Sequence, residues 1–102
     1  MRQPHNRARG EVLLEIDGQP VRLCVTLGAL AELEAAFDVA SLADLGERLA
    51  YLTASDLVLV LSALIAGGGE AVTTAQLSAA RIEPRAAAEA VAAAFHVAFD
   101  EP

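Results

Sequence analysis

At 102 residues, 55% of them hydrophobic, the chain has the size of one domain with a real core but little surplus stability. It has no lysine, and its seven arginines are uneven: Arg2, Arg7 and Arg9 lie in the first nine residues, so from residue 10 onward four arginines oppose all fourteen Asp and Glu. A body this acidic repels phosphate backbones and argues against nucleic-acid binding, and a single cysteine, Cys24, excludes an intramolecular disulfide and fits a reducing compartment.

Residues 1–10 are polar, contain Pro4 and show no periodicity, which predicts a disordered basic arm ahead of one domain over residues 11–102. Residues 11–16 and 19–26 alternate apolar and polar around Asp17-Gly18. Asp-Gly is a favoured two-residue turn, because both central residues need positive φ. That turn pairs Ile16 with Gln19, Leu14 with Val21 and Val12 with Leu23. One face of the hairpin is then almost wholly aliphatic, while the other carries Glu11, Leu13, Glu15, Arg22 and Cys24. Pro20 lacks an N–H, so it suits a position whose N–H points outward. A lone hairpin is marginal in water, so its apolar face must lie on helices.

The apolar period changes from 2 to about 3.6 at residues 25–37. Leu27, Leu30, Leu33 and Phe37 make one stripe of a first helix, with Glu32, Ala35 and Ala36 off it. Ser41 to Asp44 has the form of a helix start and opens a second helix with the stripe Leu42, Leu45, Leu49 and Leu52. Thr53 and Asp56 open a third, whose Leu57, Val58, Val60, Leu61, Leu64 and Ile65 leave little polar face and predict the most buried helix. Gly67-Gly68-Gly69 is expected to end it as a flexible joint. Thr73 and Gln76 open a short fourth helix. Pro84 begins a fifth at the position where its missing N–H costs nothing, with Ala88, Val91, Ala92, Phe95 and Phe99 on one face. The fold class expected is α+β: a hairpin over residues 11–26, then four to five short helices over residues 27–100.

No catalytic set emerges. His5 and His96 are far apart and lack companion ligands, so neither a metal site nor a cofactor is expected. Glu32 and Glu34 point about 200° apart on a helix and make no carboxylate pair. Gly67-Gly68-Gly69 lacks the Lys-Ser/Thr ending of a phosphate loop and follows a helix rather than a strand. The first residues lack the apolar run of a signal peptide, and the longest apolar stretch, residues 57–66, is about half what a bilayer needs. The expectation is a soluble, cytoplasmic, non-enzymatic protein. What remains is apolar surface: either the third and fifth helices are fully internal, or part of that surface docks an amphipathic or extended segment.

Several phrases carry a family resemblance. These are Arg9-Gly10-Glu11-Val12 entering the first strand, and residues 23–34, Leu-Cys-Val-Thr-Leu-Gly-Ala-Leu-Ala-Glu-Leu-Glu. The aliphatic run at residues 56–61, with Gly67-Gly68-Gly69 after it, is a third. Over roughly residues 8–98 the chain resembles the small tail proteins of gene transfer agents and phages, encoded between the major tail protein and the tape measure protein. The resemblance implies a tail assembly chaperone that binds the tape measure protein in the host cytoplasm, with the major tail protein as a further candidate partner. Leu27, Leu30, Leu33, Glu34 and Phe37 are the partner-binding residues expected on that reading, although the same apolar residues also suit a core. Two alternatives stay open: a structural tail component, tube or terminator, retained in the particle, and a small acidic adaptor. A homo-oligomer is compatible with all three.

Overall fold

The computed structural model describes residues 10–99; the basic arm expected at the N-terminus lies, but for Gly10, outside the described residues. The chain runs β1 (Glu11–Ile16), β2 (Gln19–Cys24), α1 (Leu27–Phe37), α2 (Leu42–Leu49), α3 (Ala54–Gly67), α4 (Thr74–Ala79) and α5 (Pro84–Phe99). This is the α+β arrangement the sequence implies, a hairpin followed by five helices.

The hairpin has the expected register, with Ile16 opposite Gln19, Leu14 opposite Val21 and Val12 opposite Leu23. Asp17 and Gly18 both take positive φ, 53° and 79°. Pro20 pairs with Glu15, one step beyond the turn-flanking pair. That is a non-hydrogen-bonded position, where a missing N–H leaves the ladder intact. The turn is clasped from the far end of the chain: Asp17 N–H donates to Arg81 O at 2.9 Å, and Arg81 N–H donates to Asp17 Oδ1 at 2.7 Å.

Each helix start has a chemical reason. Thr26 Oγ1 accepts from Ala29 N–H at 3.0 Å, and Ser41 Oγ accepts from Asp44 N–H at 3.1 Å. Thr53 with Asp56, and Thr73 with Gln76, form complete capping boxes. Glu83 accepts from Ala86 N–H at 2.7 Å in front of Pro84. Asp38 ends α1 in the left-handed region, which a short polar side chain tolerates better than most.

The hub is α3, which packs on β2, α1, α4 and α5. Leu23, Leu33, Leu45, Val60, Leu64 and Ile65 are the largest fully buried side chains, each worth about 1.5–3 kcal/mol of burial. The aliphatic face of the hairpin lies on this core through Leu14 and Leu23.

Three packing expectations are corrected. The stripe on α1 is not continuous: Leu30 and Leu33 are buried with Ala29, Phe37 is half-buried, and Leu27 is 83% exposed. At 100° per residue Leu27 stands about 110° from the centre of the buried face, so it turns away from the core. On α2, Leu45 is core but Leu42 is 52% exposed.

The glycine run after α3 is not a loose joint. Gly67 and Gly68 press on the outer edge of β2. A Cβ on Gly67 would collide with the Cys24 carbonyl oxygen, and one on Gly68 would lie 2.5 Å from the Arg22 carbonyl oxygen. The following segment is held by Glu70 N–H on Ile65 O at 3.1 Å and Ser62 Oγ on Val72 O at 3.0 Å. Glycine is used here for close approach.

Candidate functional site

Two neighbouring faces of α5 differ in burial, and both phenylalanines lie on the less buried one. Ala87, Ala90, Val91 and Ala94 are buried. Their short side chains let the helix lie close against the hairpin and α3. Ala88, Ala92, Phe95 and Phe99 stand about 120° further round. The sequence marks these four with Val91 as one apolar face; Val91 enters the core and Phe95 packs against its edge, while the rest of that face stays outside. Phe95 is half-buried and Phe99 is 60% exposed.

This second face looks across a gap. Because α2 packs chiefly on α1, it does not close against α5. The gap is an open cavity of about 720 Å³, walled by Gly46, Leu49 and Ala50 of α2 and its end, by Leu52, Thr53, Ala54 and Leu57 at the start of α3, and by α5 from Pro84 to Phe99. A second hollow of about 220 Å³ is floored by Leu30 and Leu45 and flanked by Leu42. The two share Gly46, Leu49, Phe95 and Phe99, so they form one groove. Phe95 and Phe99 stack along its α5 wall with centroids 6.1 Å apart. Along α5 the groove runs about 22 Å, the length of a helix of four turns.

Its lining is almost entirely apolar, with Thr53 as the exception. Thr53 and Asp56 are already engaged in the cap of α3. Arg48 joins them: its guanidinium pairs with Asp56 Oδ2 at 2.8 Å, donates to Tyr51 O at 2.8 Å and lies 4.7 Å over the Phe37 ring. The Asp56 carboxyl is held below the usual range, first by the Thr53 N–H that donates to it, against desolvation that works the other way, and then by Arg48 and the Thr53 side chain. This cluster ties the ends of α1, α2 and α3 together, and Thr53 alone of its members lines the groove.

Among the described residues no group of three or more His, Cys, Asp and Glu is placed to hold a metal ion. No helix among them is long and apolar enough to cross a membrane. The chemistry the groove offers is burial of apolar surface, with α5 and α2 as its two banks.

The five residues expected to bind a partner are dispersed. Leu33 is core, Leu30 reaches the groove only as floor, Leu27 stands exposed on another side, Glu34 is half-buried, and Phe37 is under Arg48. The groove residues Leu42, Leu49, Phe95 and Phe99 were placed on helix stripes by the sequence, and their convergence was not visible there. The available signal was the richness of α5 in alanine beside its two phenylalanines.

A family model described as phage tail tube protein, GTA-gp10, matches residues 9–101. The chain belongs to this family. That places it among the tail proteins of phages and gene transfer agents, and the match spans every wall of the groove. The GTA-gp10 description speaks of a tail tube and says nothing of a chaperone. No curated protein matches the chain, and no solved structure does.

Proposed function

We propose that this member of the GTA-gp10 family is a non-catalytic tail assembly chaperone. It holds an apolar helical segment of the tape measure protein in the groove between α2, the start of α3 and α5 until the tail tube polymerises around it. The observation that carries this reading is the open apolar groove, with Phe99 and Leu42 each more than half exposed on its two banks. A monomer that only needed a core would close α2 onto α5. A protein that must take up and release varied apolar segments keeps such a surface available.

The acidic body supports the same role, because net charge keeps a complex with an apolar client dispersed. The reaction is binding and release in the host cytoplasm, where tails are built. The major tail protein is the second partner, since it displaces the chaperone when the tube forms.

The competing reading, a tube subunit, is favoured by the family's description. Against it stands the two-stranded sheet among the described residues, because rings of tube subunits generally rest on a larger β-sandwich. The test is capture of soluble tape measure protein by the intact chain and by Phe99→Gln. Capture by the first and not the second supports the groove; capture by neither removes the proposal.

A further inference from the structure

The exposed face of α5 matches its own reverse. Ala88, Ala92, Phe95 and Phe99 follow one another at intervals of four, three and four residues, the spacing of a coiled-coil seam, and size rises along it from alanine to phenylalanine. Turned end for end, a second α5 sets its Phe99 against Ala88 and its Phe95 against Ala92, so each large ring meets a small residue. The groove has the same gradient. Leu42 and Leu45 narrow the end at Phe99 to a hollow of about 220 Å³, whereas Ala50, Ala54, Pro84 and Ala88 leave the other end open in the cavity of about 720 Å³. We propose, taking the groove as the client site, that the resting form of the protein is an antiparallel dimer: each copy seats its Phe99 at the Ala88 end of the other's groove, and a client must displace the second copy.

Charge fits the same register. Arg85 lies in the first turn of α5, where a cation opposes the helix dipole, and it is exposed. Among the described residues its side chain forms no ion pair: Glu83 accepts from Ala86 N–H, and Glu89, one turn on, makes no bridge to it. In the antiparallel register Arg85 faces the C-terminal end of the other α5. The carbonyls there carry the negative end of that helix dipole, and the sequence continues as Asp100-Glu101. Parallel pairing loses both advantages, because it sets Phe99 against Phe99 at the narrow end and Arg85 against Arg85. The antiparallel contact is isologous and closes as a two-fold dimer, since the same surface serves both copies. With two aromatic anchors per copy it is small and exchangeable, as a site that must be vacated requires.

The test is sedimentation of the full chain from about 1 μM to about 1 mM, the range over which weak pairs dissociate. Dimer is expected at the upper end and monomer at the lower. Phe99→Gln, at an exposed position, is expected to weaken dimerisation about tenfold. Arg85→Glu, also exposed, is expected to weaken it about fivefold. Reversing the facing charges as well, with Asp100→Arg and Glu101→Arg added to Arg85→Glu, is expected to restore it, which a merely structural role of Arg85 would not produce. A chain that stays monomeric throughout, a dimer indifferent to Phe99→Gln, or no rescue by the charge reversal overturns the proposal. Tape measure protein then separates the pairing from the function. Capture with loss of the dimer supports both. Capture by a dimer that persists overturns the shared site alone. A dimer that captures no client leaves the pairing standing and overturns the client.

Discussion

Gly67 sits directly against the Cys24 carbonyl, with no room for a methyl group between α3 and the edge of β2. This contact joins the hub helix to the hairpin by backbone rather than by side chains. It also explains why the glycine run is compact: the helix must end where the strand passes.

Gly67→Ala is therefore expected to destabilise the fold by about 1–3 kcal/mol, the usual cost of overpacking a closed site. Gly28→Ala is the contrasting change. Its nearest neighbour for an added Cβ is Thr26 Oγ1 at 3.8 Å, an ordinary contact, and α1 gains a better helix former. It should raise stability by up to about 1 kcal/mol. Urea melts of the two variants check the opposite signs.

Acid should loosen the junction of α1, α2 and α3 through Asp56. The carboxyl is lowered in the folded state, so its stabilisation is complete above the unfolded Asp value of about 3.9 and is lost as pH falls through the folded value. Thermal melts from pH 6 down to pH 2 should show Asp56→Asn less stable than the parent near neutrality and less sensitive to acid below pH 4. Arg48→Lys should not preserve the junction, because an ammonium cannot pair with Asp56, bond the Tyr51 carbonyl and stack on Phe37 together.

Binding and stability should separate by location. Phe99→Gln and Leu42→Gln alter residues more than half exposed and are expected to change stability by less than about 1 kcal/mol. Each should weaken tape measure capture about tenfold or more, as loss of an aromatic or aliphatic anchor does. Leu33→Ala is the converse: 1% exposed, it should cost about 2–5 kcal/mol without touching the groove. Circular dichroism melts beside pull-downs distinguish the two patterns.

The turn clasp predicts a further loss. Asp17→Gly keeps the left-handed turn but removes the acceptor for Arg81 N–H, and should cost about 1 kcal/mol. Amide exchange at Arg81 checks whether the tip of the hairpin comes free.

The hairpin was legible because Asp17-Gly18 dictates turn type and register together, and the helix starts were legible because Thr26, Ser41, Thr53 and Thr73 cap them locally. The groove was not. Hydrophobic pattern sets Phe95 and Phe99 on one face of α5 and leaves open whether that face is internal or a docking surface. The packing instead uses Ala87, Ala90 and Ala94, because only small residues let that helix approach the hairpin. Leu27 departs for a related reason: spacing alone joins it to Leu30 and Leu33, but the buried arc runs from Ala29 to Leu30 and is centred near Leu33. The role of Gly67 depends on Cys24 in a strand far earlier in the chain, and no local pattern carries that information.

Co-expression with the tape measure protein, followed by a count of this chain in purified particles, tests the central claim most directly. The account predicts a soluble complex that contains both proteins, and finished tails that lack this chain. Stoichiometric presence of the chain along the finished tail would contradict it and make the protein a tube subunit.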